Sequence, residues 1–166
     1  MGSIHQLIDR GYKLFILFST ITLLCLGACA PKHSTYSEFR KIDTTQGWQK
    51  NTPCNFTIQY PDSTASNYNL TLTIRHDNFY PYRNLWVYID YIKDTHLVER
   101  DKIECTLSDD YGRWSSKGFG SSYEYTKTLK PIVNDKEYSH IVIWQGMKND
   151  TITHILDIGI TLTPNI

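Results

Sequence analysis

Residues 68–75 read YNLTLTIR, so that Tyr68, Leu70, Leu72 and Ile74 fall on one face of an extended chain and polar residues on the other. Successive side chains of a strand point to opposite faces. A strict two-residue apolar period therefore describes a half-buried β-strand and does not fit the 3.6-residue period of a helix. The period recurs along the chain. Residues 54–60 place Phe56, Ile58 and Tyr60 on one face, and residues 85–92 are nearly all apolar or aromatic, as in a strand covered on both sides. Segments 96–107, 123–129, 138–145 and 151–163 supply further strands, separated by turn-rich stretches at 61–67, 78–84 and 108–122. No window carries a helical stripe, and neither internal repeats nor low-complexity tracts occur. The expected fold is all-β, an antiparallel sandwich of jelly-roll type with about seven or eight strands.

The first thirty residues have a different character. Residues 1–13 are polar, with Arg10 and Lys13 as their basic groups; residues 14–26 are apolar apart from Ser19, Thr20 and Thr22; Leu26-Gly27-Ala28-Cys29 follows. A basic start and an apolar core too short for a comfortable membrane span describe an export signal. The Leu-Gly-Ala-Cys tail resembles the bacterial lipobox, which implies cleavage before Cys29 and attachment of lipid to its thiol. Met1-Gly2 is not a myristoylation signal, because Gln6 stands where Ser or Thr is required. Ala30 rather than Asp follows the cysteine, and residues 31–36 contain no acid. By general lipoprotein rules this favours the outer membrane, on its periplasmic face. The expected organisation is a cleaved signal peptide at 1–28, a lipid-anchored tether and docking segment at 29–50, with Tyr36, Phe39, Ile42 and Trp48 as docking residues, and a sandwich domain at 51–166.

Removing 28 residues leaves 138, enough for one domain with one core. The whole chain has 17 basic and 17 acidic side chains. With Arg10, Lys13 and Asp9 gone the remainder is still near neutral and its charges are interspersed, which excludes the electrostatic footprint of a nucleic-acid binder. Of four cysteines, Cys25 leaves with the signal and Cys29 takes lipid. Cys54 and Cys105 remain in an oxidising compartment, where a disulfide between them is expected. It would close a loop of about fifty residues and contribute roughly 4 kcal/mol. Two buried free thiols are the alternative.

Motifs for catalysis are missing. The chain has no His-Glu-x-x-His, Gly-x-Ser-x-Gly, phosphate-binding glycine loop or Cys-x-x-Cys. His33, His76, His96, His140 and His154 are scattered, and Asp109-Asp110 lacks the alternate-position carboxylates of a calcium loop. No catalytic residue, metal or cofactor is expected. The stretch from Gly112 through Trp114 to Gly118 and Gly120 interleaves aromatics with glycines and basic residues. Such a loop either faces a partner or folds back to cap the sandwich. With Tyr82 and Asp109 it forms the candidate interaction loop. The aromatics Tyr82, Trp86, Trp114 and Trp144 also admit a glycan-binding jelly roll, the alternative function.

An ordered set of motifs runs through nearly all of the remaining chain. It comprises Tyr36-x-x-Phe39-x-x-Ile42, Trp48, Tyr68-Asn69-Leu70, Arg75-His76 and Tyr80-Pro81-Tyr82-Arg83-Asn84-Leu85-Trp86. Leu107-Ser108-Asp109-x-x-Gly112-x-Trp114, Gly118-x-Gly120, Gln145-x-Met147-Lys148 and Asp157-Ile158-Gly159 complete it. The set resembles the GldH family, the gliding-motility lipoproteins of Bacteroidetes. Ser108 and Ser116 stand where Ala and Gly are expected, Lys148 replaces Arg, and the Cys54 and Cys105 pair lies outside the pattern. The resemblance implies a non-enzymatic accessory of the gliding apparatus, linked to type IX secretion and acting as a scaffold for other envelope proteins. It does not imply that the source organism glides. Three sites, Thr44, Ser63 and Thr151, each follow Asp in a context resembling Bacteroidetes O-glycosylation signals, in segments read as turns or tether.

Overall fold

The computed structural model describes residues 35–61, 65–115, 117–133 and 138–165, and these form eleven strands. In chain order they are β1 (Tyr36–Lys41), β2 (Trp48–Gln49), β3 (Cys54–Thr57), β4 (Asn67–Asp77), β5 (Asn84–Lys93), β6 (His96–Thr106), β7 (Lys117–Phe119), β8 (Ser122–Val133), β9 (His140–Gln145), β10 (Thr151–Ile152) and β11 (Ile155–Asn165). All pairings are antiparallel. One sheet has the order β1-β11-β4-β8-β7, the other β3-β9-β5-β6, and β10 and β2 form a small ribbon. Without the three shortest strands, each sheet has four, and alternate sections of the chain fall in opposite sheets. This is jelly-roll connectivity, and the all-β sandwich expected from the two-residue period is the fold observed.

The core lies where that period puts it. Tyr68, Leu70, Leu72 and Ile74 of β4 are fully buried, and so are Ile158, Ile160 and Leu162 of β11. From the other sheet Phe56, Leu85, Val87, Ile89, Tyr91, Ile141 and Ile143 meet them in a single apolar cluster. The β5 run turns its fully buried apolar side chains to one face, and on the other only Asp90 is buried. Trp86 and Tyr88 point outward and are half-covered, because the odd-numbered residues take the core side. Trp144 shares this outer face, opposite Tyr88.

Within the segment read above as tether and docking, 29–50, residues 36–49 belong to the sandwich itself. β1 closes the larger sheet by pairing with β11 over six residues, and Trp48 is 1% exposed, its indole N–H donating to the Thr52 carbonyl at 2.9 Å. Short polar β1 reads as a linker because its apolar side chains are few. Its backbone pairing, which side-chain periodicity does not report, makes it a strand.

The expected disulfide does not form. Cys54 and Cys105 are both buried free thiols. Cys54 sits on β3 at one edge of its sheet and Cys105 on β6 at the other, with β9 and β5 between them. Three strand spacings amount to about 14 Å, against the 7 Å or so that a disulfide can bridge between Cα atoms. Burial pushes both thiols up to about 12, which leaves them protonated and unreactive.

Candidate functional site

One end of the sandwich gathers the β4–β5 loop, the β6–β7 loop and the β10–β11 turn, and the residues of the candidate interaction loop are here. Asp109 organises the β6–β7 loop. Its carboxylate accepts from the backbone N–H groups of Tyr111 and Arg113, both at 2.9 Å, and from Arg113 Nε at 2.7 Å. These bonds hold its carboxyl below the usual range, the Arg113 backbone N–H contributing most. Gly112 closes the turn at φ +76°, in the left-handed region open to glycine.

Trp114 then folds back onto the end of β4. Ser108 and Trp114 form an isolated β-bridge, and the Trp114 indole N–H donates to Asn78 Oδ1 at 3.0 Å. Its ring stands edge-on to His76, with centroids 4.5 Å apart, and lies 5.8 Å from Tyr123. Gly118 is needed beside this stack, because a Cβ there would come within 2.8 Å of the Tyr123 ring. Gly120 turns the chain into β8 at φ +65°. Tyr82 packs edge-on against buried Tyr80, whose hydroxyl donates to the Asn84 carbonyl. Trp114 and Gly118 thus cap the sandwich, while Asp109, Gly112 and Gly120 shape turns. Arg83 and Asp110 join the two loops by an ion pair.

His76 is the buried titratable group beneath this cap. Its Nδ1 lies 2.9 Å from the Asp77 carbonyl, which fixes the proton on that nitrogen, and Nε2 is buried with no partner among the described residues. Burial lowers its pKa below 6.5.

Among the described residues the large apolar side chains that this end presents to solvent are Tyr111, 85% exposed, and Phe79, 73% exposed. Sequence reading passed over both. The available signal was position: Tyr111 sits between Asp110 and Gly112 at a loop tip, and Phe79 follows Asn78 in a turn. Phe79 leans on His154, which bonds Asp77 Oδ2 at 2.9 Å through Nδ1. The Arg113 guanidinium lies 5.3 Å from the Tyr111 ring centroid, and Arg83 pairs with Asp110 next to Tyr111. Tyr and Arg are among the residue types enriched in protein-binding hot spots.

Other sequence candidates lie elsewhere. Trp86 and Trp144 are on the outer face of the smaller sheet, where the Lys102 ammonium is 4.8 Å from the Trp86 ring and the Trp144 indole donates to Asp90 Oδ2 at 2.9 Å. Gln145 is buried and folds the β9–β10 loop, donating to the Asn149 and Asp150 carbonyls and accepting from the Met147 N–H. Thr44 is exposed in the β1–β2 loop, whereas Thr151, expected in a turn, lies in β10. Cys29 and Ser63 lie outside the described residues. Among the described residues there is no group of three or more His, Cys, Asp or Glu side chains arranged to hold a metal ion.

Between β6 and β8 runs an open groove of about 630 Å³, bordered by Lys102, Glu104, Lys127 and Lys130. Lys127 reaches across it to donate to the Glu104 carbonyl at 2.9 Å, and Lys130 pairs with Glu99. Lysines laid over an edge strand obstruct its pairing with another chain.

Comparison with solved structures gives only remote likenesses. The coat protein of Tobacco streak virus matches with a TM-score of 0.30 and 12% identity, over 84% of this chain and 92% of that one. Chicken MD-1 complexed with lipid IVa matches with a TM-score of 0.29 and 13% identity, over 83% and 95%. Scores this low carry no argument. The sequence relatives are informative. A gliding motility lipoprotein GldH homolog from Christiangramia forsetii is 30% identical over 154 residues, covering 90% of this chain and 91% of its own. The family model described as GldH lipoprotein matches residues 34–162, the whole span from just before β1 into β11. The chain belongs to the GldH lipoprotein family.

Proposed function

We propose that this protein is a non-enzymatic accessory of gliding-motility and type IX secretion-linked envelope machinery, held at the outer membrane by lipid on Cys29. Its rim of Tyr111, Phe79, Arg83 and Arg113 engages another envelope protein. The observation that carries this reading is the family match over residues 34–162, together with a relative named for gliding motility. The Leu-Gly-Ala-Cys sequence ending at Cys29 supports the anchor, and Ala30 after it supports the outer membrane. Lipid attachment needs more than one acyl chain for slow release, each buried methylene contributing about 0.8 kcal/mol. On this reading the fold is a rigid support, and the chemistry it performs is binding.

The test is genetic and chemical together. A deletion strain should lose gliding, surface secretion or envelope integrity, and crosslinking in the native host should recover specific envelope proteins. Labelled palmitate should enter the wild-type chain and not the Cys29→Ala variant. Normal phenotypes with no specific partner would overturn the scaffold role, and palmitate-free wild-type protein would overturn the anchor.

A second reading has one observation in its favour. Trp86, Tyr88 and Trp144 share the outer face of the smaller sheet, a flat aromatic surface of the kind that stacks on sugar rings. The Lys102 and Arg100 side chains lie over two of these rings, at 4.8 Å from Trp86 and 5.8 Å from Tyr88, and compete with a sugar for them. A glycan array without signal would dispose of it.

A further inference from the structure

The register of β1 fixes where the chain leads out of the sandwich. Tyr36 pairs with Leu162, which pairs with Leu70, and β1 runs from there toward the loop end described above. β1 therefore begins toward the opposite end, where β4 also begins at Asn67, β8 finishes at Val133, β5 finishes at Lys93 and β6 begins at His96. That end projects three residues past the level of Tyr36, to the row Asn165, Asn67 and Val133. Three residues of strand are about 10 Å. Only residues 30–35 separate Cys29 from Tyr36, and seven Cα steps span at most about 25 Å when fully extended. The full extension of that tether exceeds the projecting end by no more than about 15 Å.

The same end exposes aliphatic side chains. Leu97 is 55% exposed, Val98 48% and Val133 47%. The ion pair of Glu99 with Lys130 joins β6 to β8 just inside them, so the three lie beyond it on one flank of the rim. Among the described residues the remaining large exposed apolar side chains, Phe79 and Tyr111, are at the opposite end. Single exposed aliphatics need no explanation, but a group gathered where a lipid tether departs has a ready counterpart.

We infer that the Leu97, Val98 and Val133 rim lies against the bilayer that receives the acyl chains of Cys29, which directs the Tyr111 and Phe79 loops away from the membrane. The inference rests on the lipid anchor at Cys29 proposed above. The short tether holds the rim at high local concentration near the headgroups, so a weak apolar contact suffices to orient the domain. Strands of 11 residues at about 3.4 Å each then place the aromatic loops roughly 35 Å out, within reach of a partner standing in the periplasm.

The experiment uses the acylated full-length chain in phosphatidylethanolamine–phosphatidylglycerol vesicles containing a headgroup nitroxide lipid. A fluorophore is placed at position 97 through Leu97→Cys or at position 111 through Tyr111→Cys; buried, protonated Cys54 and Cys105 do not compete for the label. Quenching at position 97 should exceed that at position 111 several-fold in protein that floats with the vesicles. Equal or reversed quenching in floating protein overturns the orientation and leaves the anchor standing. Protein that does not float removes the anchor, and the orientation with it. If the label at position 97 is shielded in the Cys29→Ala chain without vesicles, and the mass is doubled, a second copy covers the rim and the inference fails.

Discussion

The indole of Trp114 stands edge-on to the buried imidazole of His76, with ring centroids 4.5 Å apart, and this contact fastens the β6–β7 loop to the end of β4. Trp114→Ala removes a half-buried ring and its hydrogen bond to Asn78. It should cost about 2–3 kcal/mol in urea denaturation, and amide exchange should rise first in residues 107–115. Unchanged protection there would detach the loop from this contact.

His76 gives the domain a pH dependence of definite sign. Burial lowers its folded pKa below the unfolded 6.5, and protonation would add a buried N–H at Nε2 with no acceptor among the described residues. Below pH 6.5 the unfolded chain binds the proton first, so stability is full above that value and falls as pH drops. The slope from this group is at most about 1.4 kcal/mol per pH unit. Denaturation midpoints from pH 7.5 to 5.5 should decline in the wild type and flatten in His76→Phe, which keeps the ring stack. A decline of the same size in the variant would assign the slope to another group.

Asp90 is a second pH-sensitive point. Arg100 donates to it from Nε at 2.5 Å and Nη2 at 2.6 Å, and these bonds, with that of Trp144, lower its pKa below 3.8. Its contribution is therefore present at neutral pH and fades as pH falls through that lowered value. Asp90→Asn should cost about 1–3 kcal/mol at pH 7, and the gap from wild type should close in strong acid. A gap independent of pH would contradict the ion pair as its source.

Gly159 makes room for a neighbour on the outer face of the larger sheet. Phe39 of β1 lies over it, a Cβ there would collide with the Phe39 ring, and the Arg75 guanidinium stands 4.2 Å above the same ring. Gly159→Ala should displace Phe39, loosen β1 and cost about 1–3 kcal/mol, while Gly159→Ala combined with Phe39→Ala should recover part of that loss. A double variant no better than the single would place the strain elsewhere.

Cys54 and Cys105 lie on opposite edges of one sheet and remain thiols. Denatured, unreduced protein should take up two alkylating groups on these residues by mass spectrometry. An unalkylated chain two mass units lighter would demonstrate the bond.

The sandwich was legible because its strands alternate: residues 68–75 put four side chains at the core, and all four are buried. β1 was not, since an edge strand with one face in solvent needs few apolar residues, and Tyr36 and Phe39 look the same in a docking segment. Pairing Cys54 with Cys105 used compartment and count alone, neither of which contains strand order. In the candidate loop Trp114 and Gly118 serve the cap, while Gly112 and Gly120 shape its turns. Exposure passes to Tyr111 and Phe79, whose roles depend on which ring folds inward, a matter of three-dimensional packing.

The central claim is that the loop end holds a partner in the envelope. A photocrosslinking residue at position 111 in native cells tests it most directly, with position 161 on the outer face of the larger sheet as comparison. The account predicts a discrete adduct from position 111, absent from 161 and abolished in the Cys29→Ala background. No adduct from 111, or the same adduct from both positions, would contradict it.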